Sequence, residues 1–332
     1  MIYAKCVDGD AARKSHQVHL STTPPNATIQ PMAQTHVWDW TTHSSYTDPS
    51  RHAGLLEAVP ADISGLSAVA RNVIIHYRAS EADLPMATRD DINLRWLSAL
   101  LDADQARHGM PLPEPRAEVA RVQGCCRDHT LFCVAALRQL GIPARSLVGF
   151  SNYSGDDYNN DHVIVQTYDG VSDRWIRFDP EIETPPDRLP DPHDIESGKN
   201  APFQTAAEVW QGYRSGGLDP SLFGTGPGSS IGGAWFIRNY VLLQLAHRYS
   251  DELLLWDAWG GMSLPGDVED PEVARLVDEV AEQLVAAEAG DSTVDDALLA
   301  RYRDDERLHP GTRITQHSPF GDPPVTVNLR TR

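Results

Sequence analysis

Apolar residues recur at helical spacing along the first third of the chain. Leu55, Leu56 and Val59, then Ile63, Leu66, Val69, Val73 and Ile74, trace one face after Tyr46-Thr47-Asp48-Pro49. Ile92, Leu94, Trp96, Leu97, Leu100 and Leu101 trace a second, with Asp90 and Asp91 in the expected first turn, where acids suit the helix dipole. The stretch 109–115, from a glycine to a proline, ends it. Helical spacing resumes over 126–139, with Gly141 placed to stop it and Pro143 to prevent its return. Residues 144–153, 162–168 and 174–178 are then rich in Val, Ile, Phe, Tyr and Trp and predict three strands. A polar loop and the turn Gly170-Val171-Ser172-Asp173 connect them. Helices are predicted again over 205–213, 235–248, 271–290 and 293–303, separated by a Pro-rich connector and a Gly/Ser/Pro loop over 224–233.

This pattern divides the chain into five parts. Residues 1–36 are polar and aperiodic and are expected to be a disordered lead, with Met32 a candidate start of the ordered protein. Residues 37–120 form an N-terminal helical part, 121–183 a catalytic core and 184–305 a helical subdomain. Residues 306–332 are expected to be a loose tail. No internal repeat is visible.

The chain has 332 residues, enough to bury one large core or two modest ones. Mean hydropathy is −0.39 and no apolar run reaches the roughly 18 residues of a membrane span, so no membrane association is expected. The N-terminus has no hydrophobic signal segment. Four cysteines are too few for a disulfide framework at this length and suit a reducing cytoplasm. A net charge of −19 repels phosphate backbones and disfavours nucleic acid as a partner.

The chemistry lies in Gly124-Cys125-Cys126-Arg127-Asp128-His129 and the strands behind it. Cys126 falls at a helix N-terminus, where unpaired N–H groups and the dipole favour a thiolate and could face an oxyanion. His162 opens a strand beside a loop. On the next strand Trp175, Arg177 and Asp179 share one face, so Asp179 can orient the imidazole. Nucleophile, base and orienter in this order point to covalent thiol catalysis.

Singly, each residue has a plainer explanation: a buried cysteine, a polar contact, an Asp-Pro turn. Cys125 is the rival nucleophile, and adjacent cysteines are not expected to point the same way. Cys133 reads as core. Gln123 is a candidate second oxyanion donor, or a loop residue bonding backbone. Asp128 is a candidate secondary site residue, well explained as a dipole-compensating acid. Asp161 is a possible second orienter, and His129 is undecided. Adjacent cysteines lack the spacing of a zinc site, and no metal or organic cofactor is expected.

Gly124-Cys125-Cys126-Arg127-Asp128-His129-Thr130, with Leu137-Arg138 and Gly141-Ile142-Pro143-Ala144-Arg145, resembles the transglutaminase-like superfamily. Asp161-His162-Val163 and Trp175-Ile176-Arg177-Phe178-Asp179-Pro180 resemble its His and Asp motifs. The resemblance implies an α+β fold: a papain/transglutaminase-like core, in which a helix carrying the nucleophile packs on an antiparallel sheet, surrounded by additional helices. It implies the triad Cys126, His162 and Asp179, and it favours Cys126 over Cys125. A weaker resemblance runs through Asp91-Ile92-Asn93-Leu94-Arg95, Ala207-Glu208-Val209-Trp210, Trp235-Phe236-Ile237-Arg238 and Trp256-Asp257-Ala258-Trp259-Gly260. It is similar to a bacterial branch containing Dieckmann cyclases, which release tetramate- and pyridone-forming polyketide–peptide chains from carrier proteins.

Three functions compete. In the first, Cys126 takes an acyl chain from a carrier-protein thioester, His162 deprotonates a β-ketoamide carbon, and the carbanion displaces Cys126. This needs a dry chamber, to which Trp210, Trp235, Trp256 and Trp259 could contribute, although core packing is the plainer role for at least half of them. The second is a peptidase, amidase or amide-forming acyltransferase, for which an open polar groove is expected. The third is a binding protein that kept the fold, which the complete triad disfavours.

Overall fold

The first predicted helical face is split in two by Pro60. The computed structural model describes residues 37–153, 157–198, 200–268 and 270–330, so the expected disordered lead, with Cys6 and Met32, lies outside the described residues. Helix α1 (Ala53–Leu56) ends before the proline, and α2 (Ile63–Val73) starts after Asp62, whose carboxylate accepts the Gly65 N–H. Strand β1 (Ile74–His76) follows directly. The second helix begins later than its periodicity predicts. Residues 86–93 form a 3₁₀ segment, and α3 spans Leu97–Arg107. Asp90 and Asp91 therefore precede the helix instead of filling its first turn. Asp91 has tertiary partners, accepting from Gln123 N at 3.1 Å and pairing with Arg107 at 2.6 Å.

Strand β2 (Val122–Gly124) pairs in parallel with β1 and delivers the chain to α4 (Cys126–Gln139). The three predicted strands are β3 (Ala144–Ser151), β4 (Asn159–Asp169) and β5 (Arg174–Phe178). With β6 (Phe203–Thr205) they form an antiparallel sheet in the order β5-β4-β3-β6. Helix α5 (Ala206–Arg214) leads on to β7 (Phe223–Gly224), which adds in parallel to the start of β4. Then come α6 (Ala234–Arg248), β8 (Asp257–Ala258), α7 (Pro271–Glu288) and α8 (Ser292–Asp304).

Both faces of the sheet are covered. Val148, Phe150, Val163 and Val165 join the main core with α4 and α6, while Leu147 and Ile164 face the other way onto Tyr153, Leu189, Ile195 and Phe203. Two-sided burial explains why these strands read as nearly continuous apolar runs. Thr130 Oγ1 donates to Val163 O at 2.9 Å, tying α4 to β4 next to His162. Gly149 lies opposite His162 in the β3–β4 register. A Cβ there would sit 2.1 Å from Gln204 O, so only glycine lets β6 approach this edge.

The expected loose tail is instead folded. Strand β9 (Arg313–Gln316) pairs with both β8 and β10 (Val325–Asn328). Leu308 and Ile314 are buried in the main core. The stretch has too few apolar residues to reveal itself by periodicity, since its order comes from pairing with distant β8. The whole is the α+β arrangement expected, with the Cys126-bearing helix on an antiparallel sheet amid further helices. Among the described residues no helix is long and apolar enough to cross a membrane.

Candidate active site

Arg127 locks the start of α4 in place. Its guanidinium donates to Asp128 Oδ1 at 2.8 Å, Arg95 O at 2.6 Å and Glu252 O at 3.1 Å, from a side chain 1% exposed. Asp128 Oδ2 accepts the Cys125 N–H at 2.9 Å. The Arg127-Asp128 pair thus fixes the backbone on which both cysteines sit, and Asp128 acts as a cap as well as a dipole-compensating acid.

Cys125 and Cys126 are 3% and 4% exposed and line one cavity of about 480 Å³. The expectation that adjacent cysteines diverge fails here. Cys125 is the extended N-cap and Cys126 the first helical residue, so the backbone changes direction between them and turns both thiols to one side. The thiols lie close enough to interact directly. That contact and burial push Cys126 well above the ordinary thiol range. For Cys125 the same contact favours the thiolate, but burial and Asp128 outweigh it and the thiol is still raised. Cys133 is fully buried in the core.

His162 and Asp179 come together as the sequence predicts. His162 Nε2 lies 2.7 Å from Asp179 Oδ2, so Nδ1 is the ring nitrogen not engaged by Asp179. The same oxygen accepts the Tyr153 hydroxyl at 2.6 Å, and Asp179 Oδ1 accepts the Glu181 N–H at 2.9 Å. Burial alone would depress His162, but Asp179, Glu181 and Asp161 outweigh it and raise it to about 9. His162, Cys125 and Cys126 all line the same cavity.

Gln123 does not reach this site. Its Nε2 donates to Pro85 O and Thr88 Oγ1, both at 2.9 Å, so the amide expected as an oxyanion donor is committed to the 85–88 turn. Asp161 accepts the Tyr240 hydroxyl at 2.5 Å, and burial raises its carboxyl.

Tyr153, His129 and Glu181 are the residues that sequence reasoning missed or left undecided. Glu181 follows Asp179-Pro180, and the turn closed by its N–H brings it back toward His162. That Asp-Pro-Glu turn was the available signal. His162, Asp179 and Glu181 have donor atoms within 4.8 Å of one another, near enough to hold a cation. Asp179 already accepts three hydrogen bonds, so the cluster is better suited to holding protons.

Two openings meet at His162. The cavity holding the thiols is walled by Trp235, Phe236, Leu243, Leu255, Trp256 and Met262, with residues 317–319 closing one side. Of the four tryptophans considered, Trp235 and Trp256 line this chamber. Trp210 and Trp259 are packed in the core, their ring N–H groups bonded to Asp278 and Leu308 O. A second, more polar groove of about 850 Å³ reaches His162 past His129, Tyr153 and Glu181.

Residues 98–180 match the family model described as Transglutaminase-like superfamily. No curated protein matches the chain. The crystal structure of "a Putative Cysteine Protease from Cytophaga hutchinsonii" is similar at 18% identity and a TM-score of 0.29, over 44% of this chain and 42% of that one. This chain thus spans less than half the length of that structure. Cys126, His162 and Asp179 all fall inside the matched span, and the chain carries a domain of the transglutaminase-like superfamily.

Proposed function

We propose that the protein is a thiol acyl-transfer enzyme with Cys126 as nucleophile, His162 as base and Asp179 as orienter. In this reading it is a Dieckmann cyclase that releases a β-ketoamide chain from a carrier-protein thioester as a tetramate-type heterocycle. The observation that carries this reading is the chamber of about 480 Å³ around Cys126, walled mainly by aromatic and aliphatic side chains. An acyl-enzyme facing such a wall meets little water, so an internal carbon nucleophile can outcompete hydrolysis.

The steps balance without a co-reactant. As Cys126 attacks the thioester carbonyl its thiol proton passes to His162 Nδ1, and the imidazolium gives that proton to the departing carrier thiolate. Neutral His162 then takes the proton between the β-keto and amide carbonyls. The resulting carbanion attacks the acyl carbonyl, a carbon–carbon bond forms, and Cys126 leaves as thiolate. The thiolate then takes the proton back from the imidazolium, and the neutral pair is restored.

The polar groove reaching His162 from the other side favours a second reading, in which water or an amine takes the acyl group, as in a peptidase, amidase or amide-forming acyltransferase. Intact-protein mass spectrometry with a β-ketoamide acyl thioester separates the two. A transient adduct on the wild type, absent in Cys126→Ala, with release of a cyclised product of dehydrated mass, supports cyclisation. An adduct that yields only free acid or amide overturns it in favour of the second reading.

A further inference from the structure

His129 sits one turn into α4, and both of its ring nitrogens face oxygens that can only accept. Nδ1 lies 3.0 Å from Cys125 O, and Nε2 lies 3.2 Å from Ile74 O. Glu181 Oε1 lies a further 3.0 Å from Nδ1. A backbone carbonyl has no proton to give, so each nitrogen must carry its own. His129 is therefore a buried imidazolium, 4% exposed, and Glu181 is its counterion. By contrast His76, nearby on β1, accepts the Arg78 and Ala79 N–H groups at its Nδ1, and burial holds it down.

Glu181 has a second neighbour. Its other oxygen, Oε2, lies 4.0 Å from His162 Nδ1, the nitrogen opposite the one that meets Asp179. The base is thus flanked by a carboxylate at each nitrogen, and the backbone of Glu181 also bonds Asp179. Glu181 Oε1 is buried and faces His129 Nδ1 at 3.0 Å, so both close contact and charge tie it to that ring, while its hold on His162 is one of charge.

We propose that Glu181 is a positioning residue for the thiol chemistry, anchored by the imidazolium of His129 and acting to keep the second proton on His162 Nδ1. That proton is the one the departing thiol needs, and without Glu181 it would be lost at lower pH. The inference rests on the thiol reading of Cys126 but on no particular acyl acceptor. Burial opposes the charge on Glu181, yet His76, His129 and His162 hold it ionised well below the usual carboxylate range. The other groups facing the cluster are Asp161, Asp179 and Tyr153 from the sheet side, Arg71 and Arg78 from the α2–β1 side, and the two cysteines. Asp161 and Asp179 favour the proton on His162 as well, so removing Glu181 should weaken its hold without abolishing it.

The test reads histidine ring protonation by nitrogen NMR and needs no substrate. In the wild type at neutral pH both ring nitrogens of His129 should be protonated. In Glu181→Gln the His162 midpoint should fall by about one pH unit or more, since a charge near 4 Å has been removed. Alkylation of Cys126 by iodoacetamide at neutral pH should quicken, because Glu181 also opposes the Cys126 thiolate. A merely structural role would slow or leave unchanged that labelling. A singly protonated His129 in the wild type, or an unmoved His162 midpoint in Glu181→Gln, would overturn the proposal. A singly protonated wild-type His129 overturns it even if the variant does not fold. Failure of the cyclisation assay alone leaves it standing.

Discussion

Tyr153 and Asp179 are joined by a 2.6 Å hydrogen bond to the oxygen that also receives His162. The tyrosine therefore fixes the carboxylate that holds His162, the proposed base. Hydrogen bonds to charged groups contribute about 1.5–3 kcal/mol, so Tyr153→Phe should lower kcat/KM by roughly tenfold or more, with little change in KM. Steady-state kinetics beside a thermal melt would check this. A loss under twofold in a normally folded variant would mean that Asp179 is held without the tyrosine.

The two thiols should respond oppositely to deletion. Cys126→Ala removes the proposed nucleophile and should abolish labelling by a thiol-directed electrophile. Cys125→Ala removes the contact that raises Cys126, so Cys126 should label faster at neutral pH. Peptide mapping of the adduct decides between them, and a label carried by Cys125 would reassign the nucleophile.

Stability should fall on both sides of neutrality for different histidines. His162 is raised from 6.5 to about 9. Its stabilising contribution is complete below about 6.5 and is lost as pH rises through 9, roughly 3 kcal/mol in all. Asp179→Asn should flatten this alkaline decline. His247 is held neutral between Ser146 Oγ at 2.8 Å and Leu253 O at 3.1 Å, and burial lowers it to about 4. The unfolded chain binds that proton first, so stability should also decline as pH falls from 6.5 towards 4. Denaturant midpoints across pH 4–10 would show both limbs. An alkaline limb that survives Asp179→Asn unchanged would place its origin elsewhere.

In the proposed reaction the walls formed by Trp235 and Trp256 govern product choice. Trp235→Ala should admit water beside the acyl-enzyme and raise the ratio of hydrolysed to cyclised product several-fold, while the rate of Cys126 acylation changes less. Chromatography of products from a β-ketoamide thioester would measure the ratio. An unchanged ratio would remove Trp235 from the water barrier.

Breaking the clamp beneath the cysteines should be costly. Arg127→Ala leaves Asp128 without its buried partner and frees the carbonyls of Arg95 and Glu252, a loss of about 3–5 kcal/mol. Urea denaturation would report it. A cost under about 1 kcal/mol would mean that solvent replaces the arginine.

Much of the catalytic half was legible because local signals agreed there. Helix α4 starts where Cys126 and stops where Gly141 predict, and β3 to β5 follow from their β-branched and aromatic runs. Asp179 could be placed because strand alternation fixes which residues share a face. What the chain hid was tertiary. Asp91 looks like a first-turn acid but is held by Gln123 N and Arg107. Gln123 looks like an oxyanion donor but is held by the 85–88 turn. Glu181 was passed over because only the folded turn after Pro180 returns it to His162. The strands β9 and β10 are polar and short, and nothing local distinguishes them from a tail.

Residues 317–319 wall the chamber that holds Cys126, nearly two hundred positions further along the chain. On the ribosome, a nascent chain grown only as far as α8 presents that thiol in an unfinished cleft. The side of the chamber formed by residues 317–319 is missing until β9, which pairs with β8, has been made. The finished chamber thus draws on chain made long after Cys126.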